Sequence, residues 1–467
     1  MYKTIADIKK ALSSGQTVSS ILEDHIHLVK EKSSLNAFVE IFEDSSREAA
    51  RLVDIKIAEG KAGRLAGVIL GIKDNICYKD HKVSAASKIL NNFESIYTAT
   101  VLQKLIDEDA IVIGRLNCDE FAMGSSNENS FYGNVNNNFN EEYVPGGSSG
   151  GSSVAVSAGL CTVALGSDTG GSVRQPASWT NTFGLKPTYG SLSRYGLIAY
   201  ASSFDQIGIF SNSIEDSQLV FEITCGKDPM DSTSSSRNIE SKSVEPEKLR
   251  IGLVKEYMSH EGIDPEIRSK LEELKSNLNS ENIEVVEFDF PYLEYLVPTY
   301  YILSTAEASS NLSRFDGVHY GHRSINAAGV DDTYKKSRSE GFGSEAKRRI
   351  MTGTFVLSHG YYDAYYTKAQ RVRRMVKNAT DAFFKDVDVL VFPTTPCTAF
   401  KQGSVSDPII MYLQDIFTVH ANLTGNPAIS IPFAIHSNGM PFGLQIMSDR
   451  FNEKQLFNYS KLLKSYF

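Results

Sequence analysis

Val144-Pro145-Gly146-Gly147-Ser148-Ser149-Gly150-Gly151-Ser152-Ser153-Val154-Ala155-Val156-Ser157-Ala158-Gly159 is followed, one residue on, by Cys161-Thr162-Val163-Ala164-Leu165-Gly166-Ser167-Asp168-Thr169-Gly170-Gly171-Ser172-Val173-Arg174-Gln175-Pro176. Glycine-serine runs are commonly solvated spacers. Here they alternate with core-forming segments, which a spacer does not do. Ser153–Ala158 reads as a small-residue apolar helix, with Gly159 in the position that ends one. Cys161–Leu165 reads as a short buried strand. Two hydroxyl-rich loops tied by one buried element bring two serines to one point.

Working outward, helical and strand-like segments alternate. Residues 4–60 have helical spacing, with Ile5, Ile8 and Ala11 on one side and a capping pattern from Thr4 to Asp7. Leu65–Ile76 and Ala110–Gly114 read as strands, the second preceded by an amphipathic helix over Thr98–Glu108. Asp231–Glu247 is polar and serine-rich, as a surface connection would be. Ile251–Val254 and Ile283–Val286 read as strands flanking a helix at Pro265–Asn277. Residues 297–385 lack strand signals and read as a helical insert capping a site. Val389–Pro393 returns to the sheet, and Ile429–Pro432 and Pro441–Ile446 form a closing hairpin around Asn438-Gly439. The expectation is a single α/β domain over 1–467 with a mixed central sheet.

The bulk composition excludes several functions. Of 467 residues, 41% are hydrophobic and 22% charged, which is ordinary for a globular chain. A net charge of −9 does not favour direct nucleic-acid binding. Cys77, Cys118, Cys161, Cys225 and Cys397 are scattered, without CxxC, as in a reduced cytoplasmic protein. Met1–Ile5 opens no secretory signal, and no apolar run spans a bilayer. The histidines show no metal-ligand spacing. Neither Walker A nor a strand–GxGxxG–helix pattern is present, so no nucleotide cofactor is expected in this chain.

A serine is a poor nucleophile until a base takes its proton. Lys73 ends an apolar run, Gly67-Val68-Ile69-Leu70-Gly71-Ile72. It is either a strand-edge lysine reaching to water or a buried amine whose pKa falls through desolvation. Gly170-Gly171-Ser172 lets successive backbone N–H groups turn toward one point, a nest for an oxyanion.

The order Lys73, then Gly146–Gly151, then Gly166–Pro176 closely resembles the amidase signature family. That resemblance implies a triad of Lys73, Ser148 and Ser172. Ser172 would be the acyl-forming nucleophile, and Ser148, after a cis peptide, would relay its proton to Lys73. The N–H groups of Thr169, Gly170, Gly171 and Ser172 would form the oxyanion hole, with Asp168 and Arg174 supporting the loop. Leu116–Glu128, Gly184–Gly190, Glu307–Gly317, Ser337–Arg349 and Tyr361–Tyr366 are similar to the A subunits of aspartyl/glutamyl-tRNA amidotransferases. This implies glutamine as substrate, gripped by Tyr300, Arg349 and Asp415. It also implies B and C partner subunits that bind misacylated tRNA and use ATP and Mg²⁺. A free-standing amidase acting on other small amides is the alternative; neutral amides need neither Arg349 nor Asp415. Ser178-Trp179-Thr180-Asn181 departs from the family's usual run after Arg-Gln-Pro and puts local packing in question.

Overall fold

The computed structural model describes residues 2–236, 249–278 and 283–467. The eleven strands of the described residues are β1 (Phe38–Ile41), β2 (Ile69–Lys73), β3 (Ile111–Leu116), β4 (Val163–Ser167), β5 (Phe183–Lys186), β6 (Ile207–Ser211), β7 (Leu249–Val254), β8 (Ile283–Phe288), β9 (Val389–Pro393), β10 (Ala428–Ile435) and β11 (Pro441–Ser448). They form one mixed sheet in the order β1-β3-β2-β4-β6-β5-β10-β11-β9-β7-β8. β2 runs parallel to β3 and β4, and β7 parallel to β8 and β9, while the remaining pairs are antiparallel.

The sheet is covered on both faces, and the two-residue period of its strands sorts the side chains. Ile69, Ile111, Ile113 and Ala164 pack with Ile8, Val18, Ile21 and Leu22 of the helices Ile5–Ser13 and Val18–Glu31. Leu70, Ile72, Val112, Val163 and Leu165 point the other way, into the larger core. Thr4 and Asp7 form the capping box that starts the first helix. The helix Gly150–Ser157 lies against β4, where Ser152 Oγ donates to Leu165 O at 3.1 Å.

Three strands depart from the expectation. β1 lies within residues 4–60, which read as helical throughout, and β5 and β6 gave no separate signal. Each has only four or five residues. A four-residue strand shows too few alternations to reveal its period and is defined by its neighbours. The expected surface connection is partly anchored: Asp231 and Ser234 are buried, and Asp231 Oδ2 accepts from Arg194 N at 2.8 Å. Its residues 237–247 lie outside the described ones.

After β8 come the helices Leu293–Asn311, Val330–Gly341, Ser344–Leu357 and Lys368–Asp386. The first and third cross so closely that a Cβ on Gly353 would overlap Thr305 O. Gly353→Ala is therefore expected to destabilise by about 1–3 kcal/mol through overpacking, outweighing the roughly 1 kcal/mol that alanine gains in helix propensity. A urea midpoint equal to or above wild type would contradict this packing.

Candidate active site

Lys73 is the last residue of β2, and Ser167 the last of the parallel strand β4. Crevices at the carboxyl ends of parallel strands are where α/β folds place ligands. Lys73 does not reach to water: its side chain is fully buried. Its Nζ lies 2.7 Å from Ser148 Oγ, 2.9 Å from Ser149 Oγ and 3.0 Å from Ser167 Oγ. Burial pulls its pKa from 10.5 down to about 8, against the opposing pull of Cys118, Asp119 and Asp168.

The hydrogen bonds around Lys73 sort donors from acceptors. Ser149 Oγ donates to Ser167 O at 3.1 Å, so toward Lys73 it is an acceptor. Ser167 Oγ already accepts from Asn75 Nδ2 at 2.9 Å and accepts from Lys73 as well. A neutral amine has two N–H groups and one lone pair. With its N–H groups on Ser149 and Ser167, the lone pair faces Ser148.

Ser148 follows a cis Gly147–Ser148 peptide. Gly147 is required because a Cβ there would overlap Asp119 Oδ2. Ser148 O accepts from Asp119 N at 3.1 Å, and Gly147 N donates to Gln175 Oε1 at 2.9 Å. Ser172 enters the same loop cluster, its carbonyl accepting from Ser149 N at 3.3 Å. Lys73 and Ser148 are completely buried, whereas Ser172 keeps 8% of its surface open. Its hydroxyl has no hydrogen-bond partner among the described residues.

Asp168 and Arg174 shape the loop between them. Arg174 bonds Asp168 through Nε at 3.1 Å and Nη2 at 3.0 Å, with both side chains fully buried. Burial alone would raise Asp168, but the guanidinium holds its carboxyl at about 2. Asp168 Oδ1 accepts from Gly171 N at 2.9 Å and Oδ2 from Val173 N at 3.2 Å. This corrects one expected oxyanion donor: the Gly171 N–H is turned inward to a carboxylate. The N–H groups of Thr169, Gly170 and Ser172 have no backbone or side-chain acceptor among the described residues. Thr418 Oγ1 donates to Gly170 O at 2.7 Å, fixing the peptide that follows. Ser172 does not open a helix; the next one is Arg174–Trp179.

The structure brings Tyr300, Arg349 and Asp415 to the same region. A Cβ on Gly170 would lie 2.6 Å from Tyr300 OH, so this ring closes over the loop. Arg349 is buried and Arg348 half exposed, which settles which of the pair faces inward. Asp415 accepts from Ser125 Oγ at 3.0 Å and Tyr301 OH at 2.9 Å, and burial pushes its pKa up to about 7. The sequence did not single out Ser125, Tyr301, Tyr200, Glu345 or Tyr412. Tyr300 and Tyr301 are adjacent on one helix, and only the segments packed around them, at Gly170 and Asp415, show that both face the site. The Ser178–Asn181 departure is accommodated: Trp179 is buried, and its Nε1 donates to Cys397 O at 2.9 Å.

A family model described as Amidase matches residues 21–457. The chain belongs to the amidase family. It is 46% identical to the A subunit of glutamyl-tRNA(Gln) amidotransferase from Chlorobium phaeobacteroides, over 99% of each chain. It is 47% identical to that of Koribacter versatilis, over 96% of this chain and 95% of the relative. The crystal structure of the corresponding A subunit from Thermotoga maritima, also of a glutamyl-tRNA(Gln) amidotransferase, matches with a TM-score of 0.77 and 37% identity, over 95% of this chain and 93% of that one. The mixed sheet flanked by helices is thus the amidase-family fold.

Removing one member of a buried ion pair strands the other. Asp168→Asn is expected to cost about 3–5 kcal/mol, seen as a large drop in the denaturation midpoint. A midpoint within experimental error of wild type would show that Arg174 is satisfied without the carboxylate.

Proposed function

We propose that this chain is the glutaminase subunit of a tRNA-dependent amidotransferase. The observation that carries this is the fully buried Lys73 Nζ, 2.7 Å from Ser148 Oγ, beside a partly open Ser172. The named relatives support glutamine as the amide. Ser172 Oγ attacks the glutamine side-chain carbonyl carbon. Its proton passes to Ser148 Oγ as Ser148 gives its own to Lys73 Nζ. The oxyanion faces the N–H groups of Thr169, Gly170 and Ser172. Each such donor is worth about 3 kcal/mol in the transition state. The C–N bond then breaks, the proton returns through Ser148 to the leaving nitrogen, and ammonia departs. Water cleaves the γ-glutamyl ester by the same relay, releasing glutamate.

Tyr300, Arg349 and Asp415 hold the substrate: Arg349 takes the α-carboxylate, Asp415 the α-ammonium, and Tyr300 offers its hydroxyl. An empty-site Asp415 near pKa 7 regains its charge once an ammonium sits beside it. The ammonia serves partner B and C subunits, in a cytoplasmic heterotrimer. There the misacylated carboxyl of Glu-tRNA(Gln), Asp-tRNA(Asn) or both would be activated, with ATP and Mg²⁺ supplied at the partner's site. The net charge of −9 agrees with leaving the tRNA to the partners.

Ser172→Ala is expected to abolish glutamine-dependent transamidation by the reconstituted complex while leaving ammonia-dependent transamidation intact. Undiminished glutamine use by this variant would sink the assignment. The lowered Lys73 pKa gives a second expectation. With a pKa of about 8, about a tenth of Lys73 is neutral at pH 7, against roughly 0.03% at 10.5. Glutaminase kcat/KM should rise about tenfold per pH unit between pH ~7 and ~8, more steeply below ~7 where Asp415 is protonated as well, and level off above ~8. A profile flat across that range would remove Lys73 as the base.

A further inference from the structure

Arg349 is held before any ligand arrives. Its Nε donates to Glu345 Oε1 at 2.8 Å and its Nη1 to Tyr200 OH at 2.9 Å. Nη2 has no partner among the described residues, and Nη1 keeps a second N–H. The guanidinium carbon lies 5.2 Å from the ring centre of Tyr301, 5.6 Å from Tyr412 and 5.7 Å from Tyr200. Glu345 is fixed in turn: Tyr412 OH donates to Oε1 at 3.1 Å, and Arg348 Nη1 to Oε2 at 2.5 Å. Burial would raise Glu345, but the arginines hold its carboxyl below the ordinary value.

Asp415 belongs to the same arrangement. It is buried, its oxygens are bonded to Ser125 and Tyr301, and it forms no ion pair with Arg349 among the described residues. An arginine and an aspartate in one dry pocket attract strongly. If they paired with each other, neither could receive a ligand.

We propose that Glu345 is a positioning residue that keeps Arg349 and Asp415 apart, so that the pocket selects amides bearing both an α-carboxylate and an α-ammonium. This rests on the glutaminase reading of the site. Glu345 takes the Nε side of the guanidinium and offsets its charge, which leaves the Nη1–Nη2 edge for an incoming carboxylate. Carboxylates bind guanidinium bidentately and in plane, so the orientation of that plane decides recognition. Glu345 stands four residues before Arg349 on the helix Ser344–Leu357, the favourable order for an i, i+4 pair. Tyr412 holds Glu345, and Tyr200 holds Arg349. Neutral amides gain nothing from this arrangement.

The test is steady-state hydrolysis of L-glutamine and of butanamide, which lacks both the α-carboxylate and the α-ammonium, by the purified complex. Glu345→Ala should raise the glutamine KM at least tenfold with a fall in kcat of under threefold. Its kcat/KM on butanamide should fall less than threefold. Glu345→Gln keeps an acceptor for Nε but not the charge, and should lie between wild type and Glu345→Ala. Equal losses on both substrates would mean that Glu345 only supports the fold, and an unchanged glutamine KM would mean that it does not position Arg349; either overturns the proposal. A wild-type complex unable to hydrolyse glutamine would instead overturn the glutaminase reading.

Discussion

The catalytic half of this molecule depends on one cation kept out of water. Lys73 has no exposed surface and no carboxylate among its hydrogen-bond partners, only three serine hydroxyls. Its fall from 10.5 to about 8 corresponds to about 3 kcal/mol of disfavoured charge. Three hydroxyls partly offset that cost, and they come from two separate segments. The fold must therefore bring the end of β4 and the Gly146–Gly151 loop to the end of β2. The parallel pairing of β2 with β4 supplies the first, and the helix Gly150–Ser157, packed on β4, supplies the second.

A second buried charge organises the other side of the loop. Arg174 has five N–H donors, and the structure gives it five bonds: two to Asp168, and one each to Thr418 O, Gln445 Oε1 and Asn422 Oδ1. The last three partners lie more than 240 residues away in sequence. One guanidinium thus ties the loop that carries Ser172 to β11 and to the segment that carries Thr418. The same pair spends the Gly171 N–H on Asp168. Burial, helped by the charge of Arg174, also draws Lys186 down to about 7.

What could be read from the sequence follows from how local each feature is. β2, β3, β4 and β9 are predominantly apolar, buried on both faces, and their signal lies within five or six residues. β1, β5 and β6 owe their existence to pairing with distant strands, which no local window contains. The site divides the same way. Lys73, Ser148 and Ser172 sit in motifs dense enough to carry their own context. Glu345, Tyr200 and Tyr412 are an ordinary glutamate and two ordinary tyrosines until the helical segment folds over the sheet. The side on which the Gly171 N–H points depends on one carboxylate three residues earlier, which a glycine-glycine pattern does not reveal.

The proposed relay through Ser148 fits these constraints. A lysine bonded directly to the nucleophile would have to stand where substrate and water enter, and there its pKa would return toward that of a solvated amine. A hydroxyl between them, the role proposed for Ser148, would let the amine stay dry while Ser172 keeps 8% of its surface open. The intervening hydroxyl accepts and donates at once, so it adds no charge to the pocket. The proposed relay would thereby separate the electrostatics of Lys73 from the accessibility of Ser172. Under that proposal, the separation gives a physical reason for two serines in glycine-rich loops within one short stretch of chain.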